Sequence, residues 1–318
     1  MFEIKDGVLL KYHGAAGEKR AVIPPGVRTV GGNAFYGSEH IEEIEIPDGV
    51  TRIGYFAFAN CKALRTVIMP DSVTELGAAV LTNCPSLTEV KLSENITQLN
   101  TTFNNCDSLE TVTVPSKTEV IKKAFRLCPA LQRVVLPEGL RELDDTFDGC
   151  RSLRELRLPD SVRDFSGIAV TKSGLERVTF RGYDIVFGSE YEERRFISIH
   201  WFSRLLEFAE NDTFPTSPPY SCGEIIRRTF ILARFVKDRT PKQCNYIKYD
   251  YAKVMKHAIS LNETDVIAAM AEEGLLNSRS ISRYIKLAAE LGREEIYLML
   301  VRYKDEAGGY GGSGRFRL

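Results

Sequence analysis

Between Val22 and Phe180 the chain repeats one phrase every 22 or 23 residues, seen most clearly from Val50 to Pro70. A unit this short cannot bury its own apolar face. Successive copies must therefore stack into an elongated solenoid, which offers surface instead of an enclosed cavity. One aromatic column runs Phe35, Phe58, Leu81, Phe103, Phe125, Phe147, and an aliphatic one runs Ile41, Leu64, Leu87, Leu109, Leu131, Leu153, Leu175. Two further columns, Ile44, Val67, Val90, Val112, Val134, Leu156, Val178 and Ile46, Met69, Leu92, Val114, Leu136, Leu158, Phe180, lie two residues apart. That spacing is what a short strand on a half-buried sheet requires. Proline follows the strand at Pro47, Pro70, Pro115, Pro137 and Pro159, where its missing N–H ends the ladder. A second extended piece in each repeat, such as Val50 to Ile53 or Leu140 to Leu143, is expected to line the opposite wall. After Leu92 the period drops from 23 to 22 residues, a deletion placed in the loop between the Ile53-type and Phe58-type positions.

The pattern Leu-x-x-Val-x-Leu-Pro, then Val-x-x-Ile, then Ala-Phe-x-x-Cys resembles the BspA-like leucine-rich repeat family. The stretch from Val8 to Tyr12 through Ala21 to Pro24 resembles the opening hairpin that caps such arrays. The resemblance covers residues 1–190. It implies a non-enzymatic protein that binds other macromolecules, with bacterial surface adhesins among its relatives. Met1 to Asp6 lacks a basic segment leading into an apolar one, and no stretch reaches the ~20 apolar residues of a membrane span. A cytoplasmic protein is therefore expected. The alternative is a secreted or cell-surface protein whose export signal has been removed.

The organisation read from the chain is a capping hairpin over 1–25 and a right-handed solenoid of about seven repeats over 22–190. A capping helix and Pro/Ser-rich linker follow over 191–223, then an α-helical domain over 224–307 and a flexible Gly-rich tail over 308–318. The fold class is a leucine-rich-repeat solenoid with short parallel β-strands followed by an all-α helical-repeat domain. Phe196 to Ala209, with Trp201, is expected to cover the open end of the stack. In the helical part, the apolar pattern from Met255 to Met270 recurs 30 residues later from Ile285 to Leu300, with turns at Asn262 and Gly292. These paired helices resemble ankyrin-like repeats without their Thr-Pro-Leu-His signature.

The outward positions of the strands are the candidate binding face. The flanking column reads Glu43, Thr66, Glu89, Thr111, Arg133, Glu155, Arg177. The column between the core positions reads Glu45, Ile68, Lys91, Thr113, Val135, Arg157, Thr179. The sign shifts from acidic to basic along the face, which suits an oriented protein or peptide partner. With a net charge of −1 and no aromatic ring in these columns, neither a polyanion nor a stacked single-stranded nucleic acid is expected as partner.

Catalytic readings are weaker. Five of seven cysteines, Cys61, Cys84, Cys106, Cys128 and Cys150, share one repeat column, without the local spacing of a zinc site. A tight buried corner accounts for them, and no metal or cofactor is expected. Asp144, Asp145 and Asp148 crowd one turn that could take calcium or act as a carboxylate pair, but other repeats place Gly, Lys or Thr there and the turn reads as a solvated one. Arg227 and Arg228, with the basic and tyrosine-bearing run from Lys242 to Lys253, read as a helix surface. An enzymatic site near His200 and Cys222, or one pairing Cys222 or Cys244 with His257, is the rival of a different class.

Overall fold

The computed structural model describes residues 1–14, 17–163, 174–186 and 224–308. The described residues divide into two compact units, one formed by those up to 182 and the other by 183–186 and 224–308.

The first unit is a parallel-strand solenoid of about seven turns. One wall is built by β3 (Arg20–Val22), β5 (Glu43–Glu45), β7 (Thr66–Ile68), β9 (Glu89–Lys91), β11 (Thr111–Thr113), β13 (Arg133–Val135), β15 (Glu155–Arg157) and β16 (Arg177–Phe180). The opposite wall holds β2 (Val8–Tyr12), β4 (Thr29–Val30), β6 (Arg52–Ile53), β8 (Glu75–Leu76), β10 (Gln98–Asn100), β12 (Val120–Lys122) and β14 (Glu142–Asp144). Before them, β1 (Phe2–Lys5) pairs antiparallel with β2. This hairpin lays Phe2 and Tyr12 on Phe35, with ring centroids 6.3 and 4.8 Å away, so the first aromatic of the core column is covered.

The periodicity translates directly into burial. All six residues of the aromatic column are fully enclosed, and Phe103, Phe125 and Phe147 stack nearly parallel at 5.4 and 5.8 Å. Ser93 stands where other repeats carry proline. Its buried hydroxyl donates to the Val73 carbonyl at 2.6 Å and accepts from the Asn95 N–H at 3.1 Å, so a side chain makes the turn that proline makes elsewhere.

The five-cysteine column has a specific role. Each thiol donates back to a carbonyl of the preceding turn: Cys61 to Phe35 at 3.3 Å, Cys84 to Phe58, Cys106 to Leu81, Cys128 to Phe103 and Cys150 to Phe125 at 3.0 Å. The acceptors are the residues of the aromatic column itself. A small apolar side chain with one donor thus fills the corner and satisfies a buried carbonyl, which explains the choice of cysteine over alanine or valine.

Each turn also passes through left-handed backbone twice. One set is Asn33, Phe56, Ala79, Thr101, Lys123 and Asp145. The other, four residues later, is Gly37, Asn60, Asn83, Asn105, Leu127 and Gly149. The second set is filled by Gly and Asn, the types that tolerate this region, except at Leu127.

The ladders follow the period change. Thr66 faces Glu89 at a spacing of 23, and Thr111 faces Arg133 at 22. Where the two spacings meet, both walls lose their ladder, between β8 and β10 and between β9 and β11. The strand wall is interrupted once more, between β13 and β15, although the spacing there stays at 22. The inward residue before each interruption on this wall, Val90 or Val134, is only half-buried.

In the second unit, β17 (Tyr183–Val186) packs on α1 (Glu224–Asp238), and the Lys237 ammonium lies 4.3 Å from the centre of the Tyr183 ring. The helices α2 (Pro241–Tyr249), α3 (Tyr251–Leu261), α4 (Thr264–Glu272), α5 (Ile281–Glu290) and α6 (Glu294–Gly308) follow. Thr240 caps α2 with Gln243 in a reciprocal capping box, and Pro241 takes the first helical position. Asn262 and Gly292 are left-handed, as the turns read from the sequence require. The 30-residue recurrence stacks α3 on α5 and α4 on α6 around Met255, Ala258, Met270, Ile296 and Leu300. The expected capping segment at 196–209, with His200 and Trp201, lies outside the described residues, as do the linker with Cys222 and the tail from 309 onward.

Two outcomes test this packing. Leu127→Asn, at a half-exposed left-handed position next in line to the Asn105–Asn83 side-chain bond of 2.9 Å, is expected to stabilise the repeats by about 1 kcal/mol in urea denaturation. The second concerns pH. Burial pushes the Cys61 and Cys128 thiols from 9.0 up to about 12, and raises those of Cys84, Cys106 and Cys150 as well. Above pH 9 the unfolded chain releases thiol protons that the folded chain retains, so stability present at neutral pH is lost as pH rises from 9 toward 12. Each thiol contributes a slope of about 1.4 kcal/mol per pH unit. Denaturation midpoints at a series of pH values should fall in this window, and Cys128→Ala should make the fall shallower.

Candidate protein-binding face

The strand wall presents the two columns expected from the sequence. Each of β5, β7, β9, β11, β13 and β15 turns its middle residue inward and its first and third residues to the surface. In register, Glu43, Thr66 and Glu89 lie side by side, as do Glu45, Ile68 and Lys91. Thr111 pairs with Arg133, Thr113 with Val135, Glu155 with Arg177 and Arg157 with Thr179. All fourteen are solvent-facing, with Thr66, Arg177 and Thr179 half-buried. Ile68 and Val135 are 51% and 42% exposed, and with Val22 of β3 they give a mostly polar wall an apolar presence.

The electrostatics depart from a simple gradient. Arg20, on β3, reaches Glu45 at 2.6 Å and Glu43 at 3.5 Å, which quenches much of the acidic end. It lies one strand before the first repeat, and so escaped the columns drawn from the periodicity. At the basic end, Arg177 lies 4.0 Å from Glu155. Arg133 and Arg157 are exposed and meet no acidic partner among the described residues. Between β13 and β15 a cleft of about 790 Å³ opens, lined by both of these arginines together with Val135, Leu136, Glu138 and Pro159.

Other candidates resolve into structure. The acidic turn is occupied by Arg126, which reaches Asp145 at 3.2 Å and Asp148 at 3.4 Å. Arg228 is buried against Asp250 at 3.4 Å and is not a helix-surface cation. On the opposite wall, Tyr55 is 58% exposed with its ring over Gly32, where a Cβ would meet it at 2.8 Å. Columns drawn only on the strand wall could not find this aromatic.

These stacked parallel turns, with a solvent-facing strand wall, define a leucine-rich-repeat scaffold. The BspA type leucine-rich repeat region matches residues 17–124 and 118–191 in six copies, over half of the chain. The protein belongs to this family, whose members are typically protein-binding or surface proteins and generally non-enzymatic. Among solved structures, a leucine-rich repeat protein from Eubacterium ventriosum is 28% identical with a TM-score of 0.49, the match covering 53% of this chain and 46% of that one. One from Bacteroides ovatus is 23% identical at a TM-score of 0.38, covering 51% and 55%. The T. pallidum leucine-rich repeat protein is 22% identical at 0.40, covering 57% and 82%. The chain thus spans about half the length of the first two. Comparison with curated proteins gives no match.

The described half of the catalytic alternative, Cys244 with His257, sits in the helical unit. The Cys244 thiol donates to the Arg239 carbonyl at 3.9 Å, and burial raises its pKa, which disfavours the nucleophilic thiolate. The His257 ring is buried with Nε2 3.2 Å from the Thr229 hydroxyl and 3.9 Å from Glu263. Burial first, and then the nearby Arg228 charge, lower its pKa from 6.5 to about 4. A histidine held neutral in this way contributes stability above pH 6.5 that is lost as pH falls through 4, up to roughly 3 kcal/mol. Acid denaturation followed in the helical unit should show this loss, and His257→Gln should flatten it between those two pH values.

Proposed function

We propose that this chain is a non-catalytic interaction scaffold that holds a protein or peptide partner on the outward strand wall of its solenoid. The observation that supports the reading most directly is the wall itself. Successive parallel strands, fixed from behind by a continuous core, present a pre-formed polar surface with exposed Ile68 and Val135 and two arginines, Arg133 and Arg157, that make no ion pair among the described residues. A surface ordered before binding loses little conformational entropy on association. Apolar residues ringed by polar ones form the usual anatomy of a contact centre. The helical unit adds a second interaction or assembly surface. Membership of a family rich in surface proteins also supports a reading as an adhesin, in which the same wall meets a protein outside the cell.

Two variants test the wall along its length, Ile68→Glu with Thr113→Arg in its middle and Arg133→Glu, Arg157→Glu with Arg177→Glu at its basic end. All five positions point outward, so circular dichroism and melting temperature should stay close to those of the parent. Pull-down from lysate and from culture medium should capture a partner with the parent chain and lose at least about tenfold of it with one or both variants. Capture kept by both variants would place the interface elsewhere, with the helical unit the next surface to probe. The fraction that yields the partner distinguishes the intracellular reading from the adhesin.

A further inference from the structure

The strand wall is interrupted twice, and only one interruption has a cause in the repeat length. Between β9 and β11 the spacing changes from 23 to 22, and the opposite wall breaks at the same level. Between β13 and β15 the spacing is constant, and the opposite wall runs unbroken through β10, β12 and β14. The bonds that close β7 to β9, from the Thr88 and Glu89 N–H groups to the Arg65 carbonyl at 3.0 Å and from Met69 N–H to the Lys91 carbonyl at 2.9 Å, have no counterpart joining 132–136 to 154–158. Edge groups that parallel pairing would consume are left along this notch.

The cleft opened there, about 790 Å³, is within the ~300–1,000 Å³ typical of ligand sites. Its lining carries three arginines and two glutamates. Arg154 is taken by Glu176 at 2.9 Å and Glu155 lies against Arg177 at 4.0 Å, whereas Arg133 and Arg157 make no ion pair within 4.0 Å among the described residues, with Glu138 the remaining described acid of the lining. Val134, Val135, Leu136 and Pro159 supply an apolar lining between the two guanidinium groups. Among the described residues no aromatic side chain lines the cleft, so they offer bases nothing to stack on.

Resting on the reading of this wall as a partner-binding surface, we infer that the notch between β13 and β15 takes an extended acidic peptide segment of the partner, whose carboxylates pair with Arg133 and Arg157. Guanidinium groups match carboxylates with two parallel hydrogen bonds. The alternating apolar side chains of such a segment fit the lining between the arginines.

Fluorescence anisotropy with the full chain tests this, using a short labelled peptide of alternating Glu and Val and the same peptide with Gln for Glu. The Glu peptide should bind, with affinity falling as salt is raised, and the Gln peptide at least about tenfold more weakly. Arg133→Glu with Arg157→Glu should abolish binding, the corresponding Lys pair should restore part of it, and Arg52→Glu, an exposed arginine on the opposite wall, should leave it unchanged. Circular dichroism confirms that each variant is folded. Failure of the parent chain to bind the Glu peptide, equal binding of both peptides, or binding kept by the folded Arg-to-Glu pair would each overturn the inference. A captured partner lost with Ile68→Glu and Thr113→Arg but kept with the Arg-to-Glu pair would overturn the notch and leave the wall reading intact.

Discussion

The solenoid depends on one recurring contact, the closure of each turn on the one before it. No turn has enough apolar residues to enclose itself, so the ring of one repeat must rest on the ring of its neighbour. Phe103, Phe125 and Phe147 do this face to face, and the first ring in the column is covered by Phe2 and Tyr12 of the hairpin. The cysteine column locks the same contact with a hydrogen bond, since each thiol reaches the carbonyl of a core-column residue one turn back. Packing and polar satisfaction therefore act between the same pairs of turns. Coupling of this kind is local, and a turn senses its neighbours rather than the whole stack.

That locality explains what could be read from the residues. Inward columns repeat because every turn faces the same neighbour, so Phe35 to Phe147 and Leu64 to Leu175 identify themselves by period alone, as do the outward residues between them. The left-handed positions were not visible in the same way. Asn60, Asn83 and Asn105 advertise one set, but the other is filled by Phe56, Ala79, Thr101 and Lys123, types that carry no backbone signature. Arg20 was missed because its strand precedes the repeat, though it sets the charge of the acidic end. The interruption between β13 and β15 was also invisible, because the columns run through it in perfect register.

The helical unit obeys a different logic. Its recurring apolar residues enclose a core, but a polar group made of His257, Thr229 and Glu263, with Arg228 and Asp250, is buried within the unit. A pattern search finds the apolar stripes at 3.6-residue spacing and passes over such a group, since His257 and Arg228 look like surface residues until their helices are packed. Buried polar groups of this kind restrict how helices can pair. The 30-residue offset that stacks α3 on α5 thus comes with polar restraints that the periodicity alone does not express.

Function on a repeat scaffold has to come from departures, because identical turns present identical surfaces. Most departures along this strand wall are exchanges of one outward side chain for another, which alter charge without altering shape. The gap between β13 and β15 changes shape. At the other interruption, one deleted residue shifts the stacking of both walls together, as a purely geometric adjustment should. At β13 the opposite wall is undisturbed, so the ladder opens on one side only, with Val134 partly uncovered and, on both strands, an arginine that makes no ion pair among the described residues. A scaffold can relax its stacking at one place because the remaining contacts are local. This is the place on the wall where relaxed stacking, apolar lining and uncompensated positive charge coincide.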